Sequence, residues 1–142
     1  MNKFDYVSDL HLSFNCDDQF IKQWDINAPY LILAGDIIEA DLLYHPALES
    51  SLSRFFKFLS NSYIEVFWVL GNHEHYQSPI HSTQFIIEDY LSDINAKNIR
   101  VLHENFVQRE EFLIFGATLW ADMSKKDPLI AIWLNLRSMT TG

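Results

Sequence analysis

Apolar positions along this chain alternate between strand-length runs and helical stripes. Residues 3–8, Tyr30 to Ala34 and Tyr63 to Leu70 are short and apolar-rich, and each stops abruptly at polar residues, the second and third at a glycine. Runs of this length bounded by breakers are read as buried strands. Between them the period changes. From Pro46 to Asn61, Leu48, Leu52, Phe55, Phe56 and Leu59 recur at i, i+4, i+7, i+8 and i+11, which predicts an amphipathic helix. Ser78-Pro79 supplies an N-cap followed by proline at the first helical position, and the stripe Thr83, Ile87, Tyr90, Leu91 and Ile94 predicts a second helix to about Asp93. A shorter helix is expected from Gln19 to Trp24. Strands separated by helices imply βαβ units with right-handed crossovers and a largely parallel sheet.

After Asn95-Ala96-Lys97-Asn98 the pattern turns from βα to ββ. Ile99–Leu102, Asn105–Gln108 and Phe112–Phe115 read as short strands, the last two joined through Arg109-Glu110-Glu111 as a hairpin. Gly116 to Trp120 turns the chain again, and Pro128 to Leu136 is expected to form a final helix.

The chemistry gathers where the strands stop. Asp9 and His11 follow the first, Gly35-Asp36 the second, and Gly71-Asn72-His73-Glu74 the third. In an open α/β sheet, ligands bind beyond the carboxyl ends of the strands, so five candidate side chains converge on one edge. Asp9 and His11, two positions apart in extended backbone, would face the same side. As mere turn and capping residues they would require three independent coincidences. Oxygen donors with an imidazole suit Mg, Mn, Fe or Zn, and the absence of cysteine among them disfavours a structural zinc site. A central carboxylate such as Asp36 can bridge two ions. Two ions about 3.5–4 Å apart stabilise the attacking and leaving oxygens of a phosphoryl displacement and supply hydroxide at neutral pH, leaving His73 free for acid catalysis.

Composition narrows the picture only in places. With 142 residues, 49% hydrophobic, the chain can bury one core, and a single domain over 1–142 is expected. The net charge of −9 offers no basic patch for a sequence-independent grip on nucleic acid. It makes a nuclease less attractive than a hydrolase of small phosphoesters without excluding one. The lone Cys16 cannot form an internal disulfide and is read as an ordinary thiol. The N-terminus lacks the apolar stretch of a signal peptide and no run approaches the ~18 residues of a membrane span, so a cytoplasmic protein is expected.

Asp9-Leu10-His11, Gly35-Asp36 and Gly71-Asn72-His73-Glu74 resemble, in order and spacing, the first three motifs of the calcineurin-like metallophosphoesterases. Gly116-Ala117-Thr118-Leu119-Trp120 is similar to a stretch found in part of that family. The resemblance implies an αββα sandwich, here its N-terminal part, and hydrolysis of phosphomonoesters or phosphodiesters by a hydroxide activated at a dinuclear centre. It implies Asp9 and His11 on the first metal, Asp36 bridging both, Asn72 on the second metal and on substrate phosphate, and His73 over the phosphate as proton donor. Glu74 resembles a structural partner more than a ligand. Family members continue with a Gly-His and then a Gly-His-x-His motif, and neither occurs here; His75, His81 and His103 are weak replacements. The expectation is therefore the N-terminal part of such an enzyme. It would have two divalent ions of which the second is incompletely held, impaired activity in this chain alone, and an exposed sheet face that a second copy or a partner chain covers. A non-catalytic short form acting as a binding or regulatory module is the alternative.

Overall fold

The computed structural model describes residues 3–14 and 16–119. The helix expected over 128–136 lies outside them. Four strands, β1 (Phe4–Val7), β2 (Tyr30–Ala34), β3 (Glu65–Val69) and β4 (Ile99–Leu102), form a parallel sheet in the order β1-β2-β3-β4. Each pairs with its sequence neighbour, Tyr6 with Ile32, Leu33 with Trp68 and Trp68 with Val101. Helices α1 (Asp18–Lys22), α2 (Glu49–Ser62) and α3 (Ile80–Asp93) intervene, with single 3-10 turns at Ala40–Leu42 and His73–His75. This is the α/β arrangement of a four-stranded parallel sheet flanked by helices that the alternating periods predict, and an antiparallel hairpin follows.

The register decides which residues meet the helices. Leu31 aligns with Val66 and Val66 with Ile99, so this side of the pleat presents Leu31, Leu33, Val66, Trp68, Ile99 and Val101 to one face. All six belong to the main core cluster, together with Leu52, Phe55, Phe56 and Leu59 of α2 and Ile87, Tyr90 and Leu91 of α3. Trp68 stacks on Phe56 with centroids 5.0 Å apart, and Phe56 meets Tyr90 edge-on at 6.1 Å. Each such side chain, fully withdrawn from water, contributes about 1.5–3 kcal/mol before conformational entropy is counted.

The hairpin of β5 (Asn105–Gln108) and β6 (Leu113–Gly116) lies towards the other face. Phe112, just ahead of β6, meets Phe4, Tyr30 and Phe67 at 5.2, 5.2 and 6.0 Å, and Glu65 of β3 binds both Arg100 and Arg109. The outward side of the hairpin leaves Phe106, Leu113 and Phe115 exposed, and Tyr6 on edge strand β1 is 83% exposed.

Two starts differ in detail from the sequence pattern. Pro79, with φ −63° and ψ 132°, is itself the N-cap of α3 and no side chain caps the helix, so Ser78 does not fill the expected role. The Ser78 N–H instead donates to the His75 carbonyl, 3.2 Å away, in the turn that carries the third motif. α1 begins one residue earlier than expected because the Asp17 carboxylate accepts from the Phe20 N–H at 2.8 Å. No helix among the described residues is long and apolar enough to cross a membrane.

Candidate metal centre

The loops that follow β1, β2 and β3 are laced together before any side chain is considered. The Asp9 N–H donates to the Gly35 carbonyl, His11 to Asp36 and Leu12 to Ile37, at 3.1, 3.1 and 2.9 Å. Asp9, His11 and Asp36 hold φ of 56°, 43° and 57°, so Asp9 and His11 are not in the extended backbone that the strand end suggested; this left-handed region costs an L-residue about 1–2 kcal/mol, least for Asp, Asn and His. Strain of this kind persists only where surrounding bonds impose it, and it clusters at functional sites.

Gly35 and Gly71 are where the second and third loops touch. Gly35 has φ 89°, and a Cβ there would lie 2.9 Å from the Gly71 Cα. A Cβ on Gly71 would run into the Asp36 carboxylate and lie 2.6 Å from the Asp36 nitrogen. Only glycine lets the two loops approach this closely.

The contact places His11, Asp36 and His73 together. One ligand atom from each lies within 4.8 Å of the others, and all three residues are half-buried. The His11 and His73 rings meet edge-on with centroids 4.6 Å apart, and the His73 N–H donates to Asp36 Oδ1 at 3.0 Å. His73 Nδ1 is buried with no hydrogen-bond partner among the described residues. Two imidazoles and a carboxylate suit a divalent transition ion, so the donor set fits the kind of metal that the strand-end pattern implies. Asp9 and Asn72 lie outside that three-residue group but line the same cleft with Asp36, Gly71 and Thr118. Asn72 Nδ2 donates to the Tyr76 hydroxyl at 3.3 Å, and Tyr76 lies against the His73 ring with centroids 4.3 Å apart.

The remaining histidines do not join the group. His75 is buried, its Nδ1 is 2.8 Å from Thr83 Oγ1, and its ring is 5.2 Å from that of His103. Burial, reinforced by the neighbouring His103, lowers its pKa below the ordinary histidine value. His81 is exposed on α3. Burial pushes the Cys16 pKa up to about 11, in keeping with the ordinary thiol expected, while Arg54, which the local sequence did not suggest, pulls the other way.

Two features of the site escape the sequence pattern. Glu74 is fully buried, accepting from the Asp36 and Gly71 N–H groups through Oε2 at 3.0 and 2.8 Å. Its Oε1 accepts from the Ile37 N–H and Trp68 Nε1 at 2.7 and 3.1 Å. The family resemblance implied a structural partner rather than a ligand, but which donors it meets depends on loops that sequence order keeps apart. Thr118, which lines the cleft, donates its hydroxyl to the Leu70 carbonyl at 2.6 Å, joining the chain beyond the hairpin to the end of β3.

Parallel strands carrying Asp, His and Asn-His at adjoining carboxyl ends define a metallophosphoesterase-type α/β domain. The family model for calcineurin-like phosphoesterase matches residues 3–136, and the chain belongs to that family. It is 29% identical over 134 residues to "Uncharacterized protein L509" of Acanthamoeba polyphaga mimivirus, a match covering 84% of this chain and 45% of that protein. The chain thus spans about half the length of this relative. Among solved structures, a crystal structure with a TM-score of 0.54 is 16% identical and covers 82% of this chain and 53% of its own. The phosphopantetheinyl hydrolase PptH from Mycobacterium tuberculosis superposes with a TM-score of 0.48 at 20% identity, covering 75% of this chain and 37% of that one.

Proposed function

We propose that this chain forms the strand-end half of a metal-dependent phosphoesterase site acting on phosphomonoesters or phosphodiesters. The observation that carries the reading is the convergence of His11, Asp36 and His73 at three adjacent loops of a calcineurin-like fold. Asp9, His11, Asp36 and Asn72 are the proposed cation ligands, with Asp36 central between them; His73, although its ring belongs to the three-residue group, is assigned to proton transfer rather than to the cation. A bound divalent cation would neutralise phosphate charge and lower the pKa of water at the site.

The chain's own groups then have separate tasks. Asp36 Oδ1 locks the third loop by accepting from the His73 N–H, and its other oxygen would be free to hold a cation. Asn72, whose amide N–H donates to the Tyr76 hydroxyl, would present that N–H to a phosphate oxygen. His73 holds a proton on its ring and delivers it to the leaving oxygen, so that the departing group leaves as an alcohol. The low basicity of the chain favours small esters over a nucleic acid.

Hydrolysis of p-nitrophenyl phosphate and bis-p-nitrophenyl phosphate with Mn²⁺ tests the proposal. Turnover, expected to be weak in this chain alone, should require the cation, vanish with EDTA and fall further in His73→Asn, with Mn²⁺ affinity retained. A collapse of Mn²⁺ affinity in that variant would make His73 a ligand rather than the proton donor. Turnover indifferent to EDTA would contradict the proposal, and Mn²⁺ binding without turnover on either ester would favour a binding module.

A further inference from the structure

We infer that Glu74 is a positioning residue: it clasps the loops after β2 and β3 so that Asp36 and Asn72 face one cation, an inference that rests on the metal-site reading above. Glu74 is 0% exposed, and among the described residues no Lys or Arg pairs with it. A carboxylate buried without a cation is costly unless N–H donors replace its lost water, and here four do so, two on each oxygen.

Three of the four donors are backbone groups of the site itself. Asp36 and Ile37 belong to the second loop, and Gly71 precedes Asn72 in the third. The clasp is reciprocal. Glu74 accepts from the backbone of Asp36, and the side chain of Asp36 accepts from the backbone of His73, the residue before Glu74. The left-handed φ of Asp36 and the approach of Gly35 to Gly71 are held inside this ring of bonds. Without Glu74, three inward-pointing N–H groups would lose their acceptor, and the least costly relaxation is for the two loops to part. The ligands would then be present but misplaced.

Glutamine is the sharp probe. It keeps size and one acceptor oxygen, but its amide nitrogen must face two N–H donors in either orientation. Isothermal titration of Mn²⁺ into Glu74→Gln should show affinity reduced about 10–100-fold, the range for residues that orient metal ligands. In the cation-free variant the Asp36, Ile37 and Gly71 amide protons should exchange faster with solvent while those of β3 stay protected. Leu59→Ala, a core truncation in α2 outside this ring of bonds, should lower the melting temperature but leave Mn²⁺ affinity within about 3-fold, since it removes packing without releasing either loop. Glu74→Asp, which keeps both acceptor oxygens, should recover part of the affinity, and it carries the test if Glu74→Gln does not fold. Wild-type affinity and amide protection in a folded Glu74 variant would overturn this inference alone, as would an affinity loss matched by Leu59→Ala. Failure of the wild-type chain to bind Mn²⁺ at all would overturn the metal-site reading and this inference with it.

Discussion

At the residue scale, the side chains around the cleft differ in what they ask of water. Glu74 is dry and satisfied by donors, whereas Asp9 at the cleft's rim is exposed. His75 is the residue whose burial has a consequence for pH. Its folded pKa is lowered by desolvation first and by His103 second, from a value of 6.5 in the unfolded chain. Above that value both states hold the neutral ring and stability is unaffected. As pH falls below 6.5 the unfolded chain takes up the proton more readily than the folded one, so stability declines towards the lower folded value. Urea unfolding between pH 7.5 and pH 5 should show this decline, and His75→Asn, which cannot titrate, should flatten it. An equal slope in the variant would remove His75 from the account.

At the scale of elements, the start of α3 separates a sequence signal from its structural use. Ser78-Pro79 has the composition of a cap and first turn, yet Pro79 occupies the cap and Ser78 closes the preceding turn through its backbone. Ser78→Ala should therefore change stability by less than about 0.5 kcal/mol in thermal unfolding, where loss of a capping serine costs about 1 kcal/mol. A loss of that larger size would restore the serine as the cap.

The strands were legible because short apolar runs bounded by breakers read as parallel strands, most fully in β3, where four of five residues are buried. Tyr30 to Ala34 is recovered to the residue, and Tyr63 to Leu70 is only trimmed to Glu65–Val69. The helical stripes were legible for the same reason: the residues that repeat, Leu52, Phe55, Phe56 and Leu59, are the ones that are buried. Local backbone bonding was not legible. The Ser78 contact and the donors around Glu74 depend on which loops lie side by side, which periodicity does not encode.

At the scale of the whole molecule, the sheet order turns three separate loops into one edge. Asp9 and His11, Asp36, and Asn72 and His73 are more than sixty residues apart in sequence at their extremes, and the adjacency of β1, β2 and β3 brings their loops together. That much followed from strand-end motifs. The close pairing of His73 with His11, and the closure of the cleft by Thr118 beyond the hairpin, did not, because both depend on how the third loop and the hairpin pack. The hairpin also leaves Phe106, Leu113 and Phe115 outward, so one face of the molecule is covered by helices and the other only in part.

The account rests on Asp36 as the carboxylate at the centre of a cation site, and calorimetric titration with Mn²⁺ tests it most directly. The wild-type chain should bind the cation, and Asp36→Asn, which preserves shape and an acceptor for the His73 N–H, should lose at least about 1.4 kcal/mol of binding free energy, a tenfold weakening. Equal Mn²⁺ affinity in the folded variant and the wild type would contradict it.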